Sequence, residues 1–298
     1  MILFACPAFA PMAHELSAEA SLCLGEASLA RYPNGELHAS LHTRVAGEAC
    51  LLLGTLAPPD EQALSFLLLS HTLQKEGART VTALLPYLAY ARHDRPEAGE
   101  SLATAWIGRL LQASGITKVM TVDVHSPAAQ ELFPIPLVSL SPAILFAQEI
   151  KHLALLRATL VAPDEGARDR CRAVARAAGM SEEITVFQKE RTAAGVVHQG
   201  ISGSVGPHAV IVDDILDTGG TLLSCCEQLC QRGVQTITIM VTHGQFTGTL
   251  WQQLWSLRVQ RIICTDTIPQ PPERCSPQMK VLSVLPVLLE PLEQSCER

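Results

Sequence analysis

The residues best placed to do chemistry lie in one short segment, Asp213–Thr221. Its two adjacent carboxylates, Asp213 and Asp214, follow the apolar run Val210–Val212, whose β-branched composition is typical of a buried strand. Carboxylate oxygens accept hydrogen bonds, so a pair of them at a strand end suits the neighbouring hydroxyl groups of a sugar. The first half of the segment therefore predicts a sugar site.

The second half of the segment has the composition of an anion-binding turn. Asp217 opens the turn, Gly219 and Gly220 let backbone N–H groups point inward, and Thr218 and Thr221 add hydroxyl donors. The helix predicted to follow adds the partial positive charge of its N-terminus. We expect this turn to hold a phosphate group. The alternative interpretation is a helix-capping turn with one aspartate as the N-cap residue.

A pair of cations forms a second candidate. Lys189 and Arg191 are spaced two residues apart on a predicted strand, so both side chains are expected on one face of it. Two neighbouring cations repel each other unless they face an anion, and a polyphosphate would supply one. The alternative is an exposed edge strand with solvated charges.

Parallel sheets are the elements that would position these residues. Short apolar runs alternate with helical patterns, which predicts the α/β class, with open and mostly parallel sheets covered on both faces. Ligands bind at the carboxyl ends of the strands in such sheets. The predicted strands include Cys50–Gly54, Val81–Leu85, Val119–Asp123, Thr159–Ala162, Ala209–Asp213 and Thr236–Val241, and the predicted helices include Gln62–Lys75, Leu102–Ser114 and Thr221–Arg232.

The domain boundary is predicted near residue 145. The stretch Ile135–Pro142 contains two prolines and shows no strong periodicity. The predicted domains are therefore residues 1–145 and 146–298, each with its own open sheet. We expect roughly the last 12 residues to pack back on the first domain.

Composition excludes several classes of protein. The 298 residues are 48% hydrophobic, which is enough for a large buried core and excludes a disordered chain. The net charge of −7 argues against a general nucleic-acid binder. The sequence lacks an apolar run long enough for a transmembrane helix and a basic start typical of a signal peptide, so we expect a cytoplasmic protein. The 10 cysteines form no C-x-x-C pair and are expected to be mainly reduced, buried thiols.

Seven segments in register then resemble one enzyme family, the ribose-phosphate pyrophosphokinases, over nearly the whole chain from about residue 30 to Glu290. The matching segments are Arg31–Glu36, Pro86–Arg95, Val122–His125, Ala162–Gly166, Asp213–Thr221, Thr242–Gly244 and Thr265–Pro269. The Asp213–Thr221 segment by itself resembles the ribose-phosphate loop of the type I phosphoribosyltransferase fold. The resemblance implies two similar domains of that fold.

The resemblance also implies a reaction. In this family the 1-hydroxyl of ribose 5-phosphate attacks the β-phosphorus of MgATP, and AMP leaves. The first domain would then contact ATP and the second would bind ribose 5-phosphate. By the same resemblance Lys189 and Arg191 stabilise the transition state, and Mg²⁺ is the cofactor, contacted by His125 and Asp164 directly or through water. The alternative roles are a hydrogen-bonded core histidine for His125 and a helix N-cap for Asp164.

The ATP contacts implied by the resemblance fall on two segments of the first domain. They are Tyr32, Asn34, Glu36, Arg92, Asp94 and Arg95. A charge on a surface loop is the alternative for Arg92. Relatives usually carry Asp where this chain has Asn34, and the loop 95–101 is more acidic than in many of them. A homo-oligomer is expected, with the adenine site near a subunit interface.

Two other functions remain open from the sequence. A phosphoribosyltransferase shares the Asp213–Thr221 segment but needs only one such domain. A non-catalytic regulatory homologue would keep the fold and bind a catalytic partner, and the acidic 95–101 loop keeps that interpretation open.

Overall fold

The computed structural model describes residues 1–192, 195–271, 274 and 277–296, with the side chains of all of these except 189–192, 195–199 and 293–296. The chain divides into two units, Met1–Leu140 together with Leu285–Arg298, and Ser141–Val284. Each unit contains a mostly parallel sheet with helices, which confirms the predicted α/β class. No helix in the described part of the chain is long and apolar enough to cross a membrane.

The sheet of the first unit is parallel throughout. Its strands are β1 (Ile2–Ala5), β2 (Cys23–Leu24), β5 (Ala49–Leu53), β6 (Thr80–Leu85), β7 (Lys118–Val122) and β8 (Leu137–Leu140), in the order β2-β1-β5-β6-β7-β8. A separate antiparallel hairpin is formed by β3 (Ala27–Arg31) and β4 (Leu37–Leu41). The helices are α1 (Ala10–Glu19), α2 (Glu61–Lys75), α3 (Ala103–Ala113), α4 (Pro127–Glu131) and α8 (Leu285–Cys296).

The sheet of the second unit is parallel except at one edge, where β10 and β11 form an antiparallel pair. Its strands are β9 (Thr159–Ala162), β10 (Thr185–Thr192), β11 (Gly195–Ser202), β12 (His208–Leu216), β13 (Thr236–Gly244), β14 (Val259–Thr265) and β15 (Met279–Leu282), in the order β11-β10-β9-β12-β13-β14-β15. The helices are α5 (Ala143–His152), α6 (Arg168–Ala178) and α7 (Gly220–Gln231).

Strand β12 lies between two hydrophobic clusters, which explains why its sequence is apolar at successive positions. Ala209 and Ile211 belong to the cluster that contains the buried side of α7. Val210 and Val212 belong to the cluster that contains the buried side of α6. Strands covered on both faces lack the alternation of polar and apolar residues seen in half-exposed strands. This central strand delivers the carboxylates Asp213 and Asp214.

Two details differ from the sequence-based expectations. Strand β12 continues to Leu216, so Asp213 and Asp214 lie within the strand, shortly before its end, rather than after it. The proline-containing stretch Ile135–Pro142 holds the edge strand β8, because its two prolines flank the strand and Pro136 joins the sheet only through its carbonyl, which accepts from Val119 N at 2.8 Å.

A buried carboxylate helps to hold the second unit together. The Glu149 side chain on α5 is 6% exposed, and its Oε2 accepts a 2.6 Å hydrogen bond from Lys280 Nζ on β15. Within the described part of the chain, Glu149 Oε1 has no hydrogen-bond partner. An uncompensated charge in this position would be costly, because burial removes its hydration.

We expect Lys280→Ala to lower the free energy of unfolding of the second unit by about 1–3 kcal/mol, since it leaves the Glu149 carboxylate buried without its cation. Denaturant unfolding measures the change. Arg176→Ala is the matched control, because its pair with Glu182 is solvent-exposed and worth about 0–1 kcal/mol. Adding Glu149→Gln to Lys280→Ala should restore part of the loss, and equal effects of Lys280→Ala and Arg176→Ala would contradict the argument.

Candidate functional site

The Asp217–Thr221 turn connects β12 to α7 in the second unit. The N-cap residue of α7 is Gly219, with φ +92°, so the sequence alternative of an aspartate N-cap is wrong. A Cβ atom at Gly219 would lie 2.8 Å from Trp251 Cα, whereas one at Gly220 would meet nothing within 4 Å. Both its conformation and its close packing therefore require glycine at position 219. The turn presents the start of a helix longer than three turns, as an anion site needs.

Backbone hydrogen bonds hold this turn from the next strand along the sheet. The segment after β13 donates from Gln245 N and Phe246 N to Leu216 O, at 2.9 and 3.0 Å, and from Thr247 N to Asp217 O at 3.2 Å. The Phe246 ring packs 4.9 Å from the Trp251 ring, centroid to centroid. The turn is thus supported by a second loop at the same edge of the sheet, which the sequence did not indicate.

The two carboxylates lie just before the turn and are largely removed from solvent. Asp214 is 6% exposed. Asp213 Oδ1 accepts a 2.9 Å hydrogen bond from Asp214 N. Burial raises the pKa of Asp213 well above its usual range, the neighbouring Asp214 raises it further, and Arg170 lowers it. Arg170 Nη1 lies 4.0 Å from Asp213 Oδ1. Burial of an ionisable carboxylate lowers the stability of the fold, so its presence here suggests a ligand-binding role.

Asp164 follows β9, which is the strand next to β12 in the sheet. Its Oδ1 accepts a 3.2 Å hydrogen bond from Ala167 N and so caps the short 3-10 helix Glu165–Ala167. The capping role left open by the sequence is therefore present. A cap of this kind uses one lone pair of a carboxylate and is compatible with a further contact to a cation.

Lys189 and Arg191 lie on strand β10, which pairs with β9 on one side and β11 on the other. The backbone register places Lys189 opposite His198 and Arg191 opposite Val196. The predicted strand is thus present, and the side chains of both residues lie outside the described residues. Their predicted role stays a prediction.

In the first unit, the turn of the β3–β4 hairpin is organised by its own side chains. Asn34 Nδ2 donates to Glu36 Oε2 at 3.0 Å, and Glu36 N donates to Asn34 Oδ1 at 3.1 Å. Arg31 Nη1 donates to Gly35 O at 2.7 Å. The Tyr32 side chain is exposed, and its ring lies 5.1 Å from that of His38. This exposed, pre-ordered turn could present an aromatic face and polar edges to a flat ligand.

The polar residues after β6 and β7 meet at one edge of the first sheet. Ser126, the N-cap residue of α4, donates a short hydrogen bond from Oγ to Asp94 Oδ2 and accepts one from Ala129 N. This contact brings the Asp94 loop beside the loop that carries His125, which lies beyond the end of β7 rather than ending it. Arg92 and Arg95 are exposed on the same loop as Asp94.

The described residues contain no cluster of three or more His, Cys, Asp or Glu side chains arranged to hold a metal ion. The two predicted metal contacts belong to different units, His125 to the first and Asp164 to the second. Mg²⁺ bound with a nucleotide takes most of its ligands from phosphates and water, with only one or two from carboxylates. The oxygen donor of Asp164 suits that arrangement better than the imidazole of His125 does.

Two polar residues of these sites were not singled out from the sequence. A serine before a proline is a common start of a helix, so the sequence does not mark Ser126 as a site residue. Arg170 is one of several arginines in the helix α6, and nothing in their spacing separates it from the others. Its contact with Asp213 distinguishes it in the structure.

Comparisons with known proteins agree on one family. Residues 1–115 match the family model described as the N-terminal domain of ribose phosphate pyrophosphokinase, and residues 164–294 match the phosphoribosyl synthetase-associated domain. A ribose-phosphate pyrophosphokinase of Campylobacter jejuni is 31% identical over 290 residues, which cover 97% of this chain and 93% of that protein. One from Bacillus caldolyticus is 28% identical and covers 99% of this chain and 94% of its own.

A solved structure shows the same likeness. The crystal structure of phosphoribosylpyrophosphate synthetase from Mycobacterium smegmatis superposes with a TM-score of 0.88 at 25% sequence identity. The match covers 99% of this chain and 98% of that one. The likeness therefore extends over both units of the fold.

We expect Gly219→Ala to destabilise the protein by about 1–3 kcal/mol, because an L side chain at a positive φ is strained and this one would also collide with Trp251. Thermal unfolding measures the loss. Gly220→Ala is the matched control, with an ordinary φ and open space for a methyl group, and should leave stability unchanged. Equal loss in both variants would show that the packing argument is wrong.

We expect Asp213→Asn to raise stability at neutral pH. The pKa of Asp213 is higher in the folded than in the unfolded chain, so ionisation destabilises the folded state as the pH rises above about 4, the ordinary aspartate range. The gain should be a few degrees in Tm and should shrink as the pH falls toward that range. Thermal unfolding across a pH series tests this, and a gain that is largest in acid would contradict it.

Proposed function

This chain belongs to the ribose-phosphate pyrophosphokinase family, and on that premise we propose that it makes 5-phosphoribosyl 1-pyrophosphate and AMP from ATP and ribose 5-phosphate. The observation that carries the proposal is the glycine turn at the start of α7, placed shortly after the buried Asp214 and the largely buried Asp213. That arrangement offers separate acceptors and donors for a sugar and its phosphate, within a chain that matches the family along its whole length.

The second unit would bind ribose 5-phosphate. Asp213 and Asp214 would accept hydrogen bonds from the ribose hydroxyls, because strand β12 carries both carboxylates to a position just before the turn. The 5-phosphate would sit on the turn formed by Asp217, Thr218, Gly219, Gly220 and Thr221. Backbone N–H groups and the two threonine hydroxyls would be its donors.

The first unit would contact ATP. Tyr32 would stack on the adenine, and the linked pair of Asn34 and Glu36 would meet its polar edge. Arg92 and Arg95 would pair with phosphate oxygens, and Asp94 would order the loop through its bond to Ser126. The exposure of Tyr32 suits an adenine site completed by a second copy of the chain, so we propose a homo-oligomer.

The reaction would be an in-line displacement without a covalent enzyme intermediate. The 1-hydroxyl oxygen of ribose 5-phosphate forms a bond to the β-phosphorus of ATP, and the bond from that phosphorus to the oxygen bridging to the α-phosphate breaks. The hydroxyl proton passes to solvent and AMP leaves. Lys189 and Arg191 would stabilise the charge that develops on the transferred group. Such reactions depend on positioning and charge neutralisation.

Mg²⁺ is the metal we propose. Asp164 would contact it through a carboxylate oxygen, and His125 would do so through a bound water. When bound with ATP, the ion would neutralise phosphate charge and orient the polyphosphate. The cytoplasmic location and the absence of a nucleic-acid partner stay predictions from the sequence.

The two alternative functions fit the molecule less well. A phosphoribosyltransferase would need only the second unit, whereas this chain keeps a complete first unit that matches the family model. A regulatory homologue would have no need for a turn that requires glycine at position 219, or for carboxylates that are largely removed from solvent. Lys189 and Arg191 are also both present.

We expect the purified protein, given ribose 5-phosphate, ATP and Mg²⁺, to release AMP and 5-phosphoribosyl 1-pyrophosphate in equal amounts. Chromatographic separation of nucleotides and sugar phosphates measures both products. Lys189→Ala should lower kcat by about 100-fold or more, as the loss of a donor to transition-state charge does elsewhere.

Glu190→Gln is the matched control for that assay, because the alternation of a strand predicts that its side chain faces away from Lys189. Its activity should stay close to that of the unchanged protein. If folded protein that binds ribose 5-phosphate yields no product with any nucleoside triphosphate, the result contradicts the proposed reaction and favours a non-catalytic regulatory homologue. If it instead consumes 5-phosphoribosyl 1-pyrophosphate with a base, it is a phosphoribosyltransferase.

A further inference from the structure

The segment after β13, residues 244–247, supports the turn at the start of α7, and Gln270 in turn holds that segment. Gln270 Nε2 donates hydrogen bonds to Gly244 O at 2.7 Å and to Ile268 O at 2.9 Å. At the other end of the amide, Gln270 Oε1 accepts a 3.0 Å hydrogen bond from Arg274 Nη1. Because both ends of the amide are bonded, the orientation of this side chain is fixed.

Arg274 makes a second contact with the same segment. Its guanidinium carbon lies 5.1 Å from the centroid of the Phe246 ring, and its Nη1 lies 3.5 Å from Gln245 O. A guanidinium over an aromatic face is attracted by the ring. Phe246 is buried and packs on Trp251, whose Cα a Cβ atom at Gly219 would meet at 2.8 Å. A continuous series of contacts therefore leads from Arg274 to the glycine of the turn.

A buried network of three threonines and one histidine ties the ends of β13 and β14 together. Thr265 Oγ1 and Thr267 Oγ1 both donate to Thr242 O, at 2.7 and 3.1 Å, and His243 Nδ1 lies 2.9 Å from Thr267 Oγ1. All four side chains are buried. A buried polar network whose members are bonded to one another favours a single arrangement of the elements that carry it. The segments that follow these two strands therefore start from fixed positions.

We propose that Gln270 is a positioning residue for ribose 5-phosphate. It would keep residues 244–247 in place, and their backbone hydrogen bonds to Leu216 O and Asp217 O would keep the turn in its binding conformation. The inference rests on the proposed function, because it takes the Asp217–Thr221 turn as the phosphate site. Gln270 would act through the backbone of the segment rather than by a contact with either substrate.

A turn that binds phosphate through backbone N–H groups is sensitive to small displacements. The residues around such a site have to hold it within about 0.5 Å of its productive geometry. A turn that is held less well must be ordered when the ligand binds, and that ordering lowers the affinity. Loss of the hydrogen bond to Gly244 O should therefore weaken binding of the sugar phosphate, and it should spare the ATP contacts, which we assign to the first unit.

The test compares Gln270→Met with the unchanged full chain. Methionine has a similar length, but it can neither donate to Gly244 O nor accept from Arg274 as the amide does. We expect the KM and the Kd for ribose 5-phosphate to rise about fivefold, the loss that one hydrogen bond of ordinary net strength represents. The KM for ATP should stay unchanged, and kcat at saturation should change little, as when only ground-state binding is reduced. Steady-state kinetics and titration calorimetry measure these values.

Gln228→Met is the matched control. Gln228 Oε1 accepts a 2.6 Å hydrogen bond from Arg232 Nη1 at the same spacing of four residues, but this pair is exposed and lies on the C-terminal half of α7. Both KM values of this variant should equal those of the unchanged protein. An equal rise in the KM for ribose 5-phosphate in Gln228→Met and Gln270→Met would contradict the proposal.

A charged variant separates the two ends of the amide. Gln270→Glu keeps an acceptor for Arg274, but its carboxylate cannot donate to Gly244 O. It should therefore lose as much affinity for ribose 5-phosphate as Gln270→Met does. Full affinity in Gln270→Glu would show that the hydrogen bond to Gly244 O does not position the turn.

Hydrogen exchange gives a readout that needs no substrate. The amides of Gln245, Phe246 and Thr247 donate to the end of β12 and to the turn, so they should exchange faster in Gln270→Met than in the unchanged protein. Exchange in the rest of the second unit should not change. A purely structural contribution of Gln270 would instead lower the overall stability and speed exchange throughout that unit, and this result would overturn the proposal.

If Gln270→Met does not fold, Arg274→Met provides the same test. It removes the guanidinium that contacts Gln245 O and Phe246, so it should raise the KM for ribose 5-phosphate and leave the KM for ATP unchanged. An unchanged KM for ribose 5-phosphate in that variant would count against the proposal. If the unchanged protein does not bind ribose 5-phosphate, the proposed function fails and this inference fails with it; if it binds and Gln270→Met binds equally well, the inference alone fails.

Discussion

The rest of the second unit depends on keeping two adjacent carboxylates buried at the carboxyl end of a central strand. Their burial works against folding, as the raised pKa of Asp213 indicates. Apolar side chains would fit that position with less cost to stability. The surrounding structure resists the cost: β12 is hydrogen-bonded to β9 and β13, and hydrophobic clusters cover both of its faces. A rigid sheet therefore keeps in place two carboxylates that would otherwise move toward water.

The Asp217–Thr221 turn, for which we propose phosphate binding, depends on the same sheet for its position. Its conformation requires a positive φ at Gly219, and the turn packs against Trp251 and is held by backbone hydrogen bonds from the segment after β13. Those hydrogen bonds satisfy the carbonyl of Leu216, the last residue of β12. The hairpin of the first unit is built differently. It is ordered by side-chain bonds within its own turn, and it presents an exposed ring rather than a buried charge.

Charge is distributed unevenly for a protein proposed to bind two polyanions. The chain carries a net charge of −7, so its overall field does not attract phosphates. Local positive potential must come from the start of α7, from backbone N–H groups and from a few cations. Three arginines of α6, Arg168, Arg172 and Arg176, pair with surface acids, whereas Arg170 lies 4.0 Å from the Asp213 carboxylate.

The alternation of strands and helices, the Asp213–Thr221 segment and the family could all be predicted from the amino-acid sequence. These are local properties, because apolar runs, glycines and polar strand ends are read from neighbouring residues. The predicted helices begin and end within one residue of the observed ones. The contact of Arg170 with Asp213, and the hydrogen bond from Ser126 that links Asp94 to the His125 loop, are seen only in the folded chain. Those contacts join residues far apart in the chain, and electrostatic coupling between them depends on burial and distance, which no spacing in the sequence specifies.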